Sequence, residues 1–136
     1  MPAAFGAAGK NLDTGSPVVV NFVYGEATPI DAAFFVADRA YRVHKIIARP
    51  LVVGSDGSAV TAEVRKAPSG TASASGTVLH SGTIDLKGTI NTNQTLTLSA
   101  TTADLSLAAG DALCLDVTGT TTAARGVVTV VLLPLA

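Results

Sequence analysis

Gly54-Ser55-Asp56-Gly57-Ser58, followed by Ala59-Val60-Thr61-Ala62-Glu63-Val64-Arg65-Lys66, decides how the rest of the chain is read. Asp-Gly between two β-like runs predicts a tight hairpin, because a type I′ turn needs positive φ at both central positions. The run after it alternates. Val60, Ala62 and Val64 face one way, and Thr61, Glu63 and Arg65 the other, which is the pattern of a half-buried antiparallel strand.

The same texture extends in both directions. Val18 to Tyr24, Phe34 to Ala37 and Tyr41 to Val53 precede the turn. Pro50, inside the third of these, cannot donate to a ladder and predicts an edge or a bulge. Thr83 to Leu86, Thr95 to Ser99, Ala112 to Val117 and Val127 to Leu132 follow. Alternation assigns Val60, Val64, Leu96, Leu98, Leu113, Leu115, Val128 and Val130 to the core and turns Cys114 outward. These are eight short β runs with turns between them and no convincing helix, so the predicted fold is all-β: an antiparallel, jelly-roll-like sandwich of about eight strands. Residues 18–136 form that domain. Residues 1–17, Ala/Gly-rich and without a β pattern, read as a flexible N-terminal arm.

Composition agrees. Thr, Val and Ile number 17, 16 and 5 of 136 residues, and only 14% are charged, which favours strands over helices and excludes a disordered chain. Glycines at 70, 76, 82 and 88 recur with a period of six. A parallel β-helix has such a period, but four hexads make little more than one coil, so a turn-rich connection between the halves of the sandwich is the preferred reading.

Several function classes lose ground. A net charge of −1 without a clustered basic excess excludes a nucleic-acid binder. No apolar window reaches membrane-span length, and no signal-peptide pattern is found, so assembly in a cytoplasm is expected. The single cysteine, Cys114, forbids an internal disulfide and has no neighbouring base to make it a nucleophile. His44 and His80 lack partners at metal-ligand spacing. Asp104, Asp111 and Asp116 do not form the alternating run of a calcium loop; Asp111 suits a turn into a strand. Neither a catalytic residue, a metal, a cofactor nor a small-molecule substrate is expected.

Two asymmetries remain. Arg39, Arg42, Lys45 and Arg49 fall within eleven residues. By strand parity Arg39, Lys45 and Arg49 share one face while Arg42 and His44 share the other, so they form no clean stripe. They read as charge protecting an edge strand, with contact to an acidic partner surface as the alternative. All six aromatics (Phe5, Phe22, Tyr24, Phe34, Phe35 and Tyr41) lie in the first 41 residues. They read as plugging one end of the core, except Phe5, which with Leu12 stands in the arm as a candidate anchor on a neighbour.

Three stretches carry a resemblance. Leu51 to Thr71, Leu79-His80-Ser81-Gly82-Thr83-Ile84-Asp85-Leu86-Lys87-Gly88-Thr89 and Leu107-Ala108-Ala109-Gly110-Asp111-Ala112-Leu113 resemble tailed-bacteriophage head decoration (cement) proteins, over about Tyr41 to Pro134. The resemblance implies a virion protein on the capsid exterior, often a homotrimer. Such a protein bridges and stabilises neighbouring major capsid protein subunits, and the family has no active site to carry over. A tail- or fibre-associated sandwich that binds carbohydrate or a host surface is the alternative; an exposed aromatic cluster would favour it.

Overall fold

The computed structural model describes residues 16–25 and 31–135. They form ten strands: β1 (Val18–Tyr24), β2 (Ala32–Val36), β3 (Tyr41–Val52), β4 (Thr61–Ala67), β5 (Thr77–Val78), β6 (Ile84–Asp85), β7 (Gln94–Thr95), β8 (Ser106–Leu107), β9 (Ala112–Thr118) and β10 (Arg125–Pro134). Two antiparallel five-stranded sheets result, in the orders β1-β10-β3-β7, with β8 also on β3, and β2-β9-β4-β5, with β6 also on β4. β7 and β8 share one lane against β3, and β5 and β6 share one lane against β4. Counted by lanes, each sheet has four, and the order is that of a jelly roll.

The eight runs legible in the sequence therefore occupy the eight lanes. The two extra strands, β5 and β8, are two residues long and too short to show a period. Val60, Val64, Leu113, Leu115, Val128 and Val130 are fully buried between the sheets, while Leu96 and Leu98 are only partly buried against the core.

Two local readings need correction. Asp56-Gly57 makes no hairpin: β3 and β4 lie in different sheets, and residues 53–60 arch between them. The arch is tied to the loop after β9 instead. Ser55 N–H donates to the Thr122 carbonyl (3.2 Å), and the Asp56 carboxylate accepts from Thr122 N–H (3.1 Å). Gly54 has φ +75°, and a Cβ there would stand 2.2 Å from the Thr122 oxygen, so this glycine is required by the crossing. Cys114 is buried, not outward-exposed: it lies outside the core cluster on the far face of β9, opposite Arg65 and Ala33. The glycine hexads agree with the preferred reading and build no parallel coil, since both short strands among them run antiparallel to β4. Pro50 likewise sits beside a bulge as expected, although β3 is an interior strand.

The two lateral sides of the sandwich are closed differently. On one side, backbone hydrogen bonds stitch the broken lanes together across the gap between the sheets. Ser81 N–H donates to Thr97 O and Ser99 N–H to Leu79 O, both at 2.9 Å. On the other side β1 and β2 face each other without a seam, and aromatic rings fill the gap. Phe22 stacks on Phe34 with centroids 5.2 Å apart, and Phe35 meets Tyr41 edge-on at 5.7 Å. Tyr24 is buried across Gly126, where a Cβ would stand 2.2 Å from its hydroxyl. That hydroxyl has no partner among the described residues, and burial pushes its pKa up to about 12. Phe22 and Phe34 thus bridge the open side, while Phe35 and Tyr41 pack where β2 turns into β3.

His80 sits where the β5–β6 lane breaks, and it is buried. Its Nε2 accepts from Val64 N–H (2.9 Å), and its Nδ1–H faces the Ser81 carbonyl (3.2 Å). The ring thus satisfies an interior amide left unpaired by the gap between the short strands. Burial holds the imidazole pKa below the usual 6.5. The unfolded chain then takes up a proton that the folded chain resists, so this contribution to stability is complete above 6.5 and declines below it. His80→Ala is expected to cost about 1–3 kcal/mol at neutral pH by orphaning the Val64 amide. Urea melts at pH 7.5 and 5.5 should show a steeper loss on acidification in the parent chain than in the variant. Tyr24→Phe removes an unpartnered buried hydroxyl and is expected to leave the thermal midpoint equal or higher.

Candidate interaction face

The outer face of the β1-β10-β3 sheet is organised by a bulge in β3. Val131 pairs with Lys45 and Leu132 with Val43, so His44 and Lys45 together oppose one residue of β10. The bulge shifts parity by one. Arg42 pairs with Leu133, Lys45 with Val131, Ile47 with Thr129 and Arg49 with Val127, and all of these point away from the core. The parity reading of the sequence, which split Arg42 from Lys45 and Arg49, is therefore overturned. The doubled polar pair His44-Lys45, between alternating Tyr41/Val43 and Ile46/Ala48, is the signal that marks the bulge.

Arg39 does not join this face. It lies in the turn between β2 and β3 and pairs with Asp38 at 3.4 Å; Asp38 also accepts from the Tyr41 hydroxyl. Phe5 and Leu12 lie outside the described residues.

Around the three cations runs an apolar stripe. Val19 pairs with Val131 and Val23 with Val127, and these two β1 valines are 57% and 71% exposed. A shallow groove of ≈ 330 Å³ lies beside Arg49, lined by Ile47, Val127, Thr129 and Asn93, and Arg49 Nε donates to Asn93 Oδ1 (2.6 Å). Among the described residues, no carboxylate stands on the strand positions of this face, and neither Arg42 nor Lys45 has an ion-pair partner.

The opposite outer face is different in kind. Glu63 and Asp116 oppose each other across β4 and β9, an unfavourable like-charge pair. Arg65 answers both: its Nη2 is 2.7 Å from Glu63 and its Nε 3.1 Å from Asp116, while Nη1 donates to Gly76 O. Burial, with Asp31 and Glu63 nearby, holds the Asp116 carboxyl above its usual range, and Arg65 opposes that rise. Other described aspartates serve the backbone or a neighbour. Asp111 accepts from Ala108 N–H in the turn before β9, Asp104 accepts from the Ser99 hydroxyl, and Asp31 accepts from Val117 N–H. Among the described residues, no three His, Cys, Asp or Glu side chains are grouped to hold a metal. Among the described residues no helix is long and apolar enough to cross a membrane.

No protein-family model and no curated protein matches the sequence. Among solved structures, a chain in the capsid of Ralstonia phage GP4 superposes with a TM-score of 0.63 at 9% identity, covering 90% of this chain and 87% of that one. The two share a fold. A chain of the disulfide-linked pili of Bacillus endospore appendages aligns over 89% of this chain and 88% of that one at 14% identity; its TM-score of 0.35 carries no argument.

Arg65→Met leaves Glu63 and Asp116 face to face. It is expected to lower stability by about 3 kcal/mol at pH 7.5, the low end for breaking a buried ion pair. Because Arg65 opposes the rise of the Asp116 pKa, its loss lets the folded variant take up that proton more readily than the folded parent, so the deficit should shrink on acidification to pH 5, as read by chemical melts at both values.

Proposed function

We propose that the chain is a capsid decoration (cement) protein of a tailed bacteriophage. It binds the outside of the head as a homotrimer and stabilises neighbouring major capsid protein subunits by bridging them. The observation that carries this reading is the jelly roll spanning the chain, shared with a chain of a phage capsid. Two features support it. His80, Glu63, Arg65, Asp116 and Asp111 are engaged in holding the fold, which suits a mechanical role. A large outer face is left with unpaired cations and exposed valines, which suits a chain that buries surface against neighbours.

In this reading the protein resides on the capsid exterior after assembly in the host bacterial cytoplasm. It takes neither cofactor nor small-molecule substrate. Residues 1–17 serve as an arm to the 18–136 sandwich, with Phe5 and Leu12 as anchors on a neighbouring protomer or the shell. The carbohydrate-binding alternative requires exposed aromatic rings. Tyr24 and Tyr41 are buried, and Phe22, Phe34 and Phe35 are packed against the core, so none supports it.

Cryo-electron microscopy of the virion tests the proposal. Trimeric density of this fold at regular positions on the outside of the head is the expected result; density only on tail or fibre overturns it. Deleting residues 1–12 is expected to leave the thermal midpoint unchanged and to lower occupancy on heads.

A further inference from the structure

We infer that the outer face of the β1-β10-β3 sheet docks on an acidic, apolar-studded protein surface, gripped by Arg42, Lys45 and Arg49 around the Val127–Val131 stripe. The partner's identity as the capsid shell rests on the reading above; the chemistry of the face does not.

Basic side chains on a strand commonly protect an exposed sheet edge. That explanation fails here, because β3 is an interior strand, flanked by β10 on one side and by β7 and β8 on the other. The charges also do not pair locally: Arg42 and Lys45 have no ion-pair partner among the described residues, and Arg49 is held only by the neutral Asn93. They stand opposite Leu133, Val131 and Val127, so each cation flanks an apolar side chain of the neighbouring strand. A cation beside an apolar stripe, without a local carboxylate, matches a partner surface of opposite charge and similar apolar content.

A second copy of this chain is the poorer occupant. Its acidic pair, Glu63 and Asp116, is already bridged by Arg65 and mostly covered, with side chains only 28% and 15% exposed. The like basic faces of two copies repel each other.

The test is chemical acetylation of lysines in intact virions and in the released protein, read by mass spectrometry. Lys45 stands on the face; Lys87, after β6, stands off it and serves as the reference. Lys45 is expected to be protected in the virion at least about fivefold more than Lys87, and equally reactive after release. Protection should weaken between about 0.05 and 0.5 M salt, because the contact is screened. The combined Arg42→Glu, Lys45→Glu and Arg49→Glu variant should lose about tenfold or more in occupancy at an unchanged thermal midpoint, while Lys87→Glu keeps it. Lys45 reacting equally in virion and released protein overturns the inference even if the protein sits on the head. Protection on a tail instead of the head upholds the face and overturns the decoration reading. Protection that appears in the isolated protein with rising concentration assigns the face to a second copy and overturns the acidic partner.

Discussion

Val64 is bonded through both of its backbone groups to the broken lane beside it. Its N–H goes to the His80 ring and its carbonyl accepts from Leu79 N–H at 3.0 Å. This clamp lets β5 and β6 exist as two-residue strands without leaving a buried amide unpaired, which is costly in a sheet interior. With the lane held there, Leu79 and Ser81 can turn their other groups toward Ser99 and Thr97 and close one side of the sandwich. A buried neutral imidazole does here what a strand backbone does elsewhere. The position accepts few replacements, because the acceptor must reach the amide from a side chain while the donor nitrogen is satisfied behind it.

Closing one side by backbone explains the distribution of aromatics. A seam of hydrogen bonds needs no bulky side chains, so the residues beyond Tyr41 build their walls from Leu, Val, Ile and Ala. The β1–β2 side has no such seam, and only large rings span the gap; Phe22 and Phe34 do so by stacking. β1 and β2 come first in the chain, hence the aromatics come first. Among the described residues β1 is an edge strand and the most regular one, paired with β10 over seven residues without a register shift. The β2 edge is bulged, and the other two edges are broken into two-residue pieces. Such interruptions discourage edge-to-edge pairing.

What was legible in the sequence was local and periodic. β-rich runs between turn signals marked all eight lanes, and alternation in the later ones marked six fully buried core residues, because a strand with one face in the core repeats every two residues whatever its partner. It did not show which strands pair. Asp56-Gly57 has the chemistry of a hairpin turn, yet its flanking strands belong to different sheets, and the Asp56 carboxylate is spent on Thr122. The competing interaction is 66 residues away, beyond what a turn motif encodes. Cys114 was misjudged for a related reason. Alternation gives its face correctly as the outer one, but neighbours on β2 and β4 cover that face, and burial depends on them.

The candidate face shows the same limit at the level of charge. Over the whole chain, nine cations and ten carboxylates nearly cancel, and that balance argues against strongly charged partners. Recognition, however, is decided by what shares a surface. A single bulge at His44-Lys45 brings Arg42, Lys45 and Arg49 onto one side of an interior strand, while Glu63 and Asp116 gather with Arg65 on the opposite sheet. The bulge costs one ladder position and changes no residue type, so composition is blind to it. Its effect is to separate charge across the sandwich: one face with its carboxylates bridged by Arg65 and largely covered, the other open and basic. Electrostatic attraction acts over about a Debye length of 8–10 Å, comparable to the thickness of the sandwich itself. A partner approaching the β1-β10-β3 face therefore meets a positively charged surface, not the near-neutral chain that the sequence total describes.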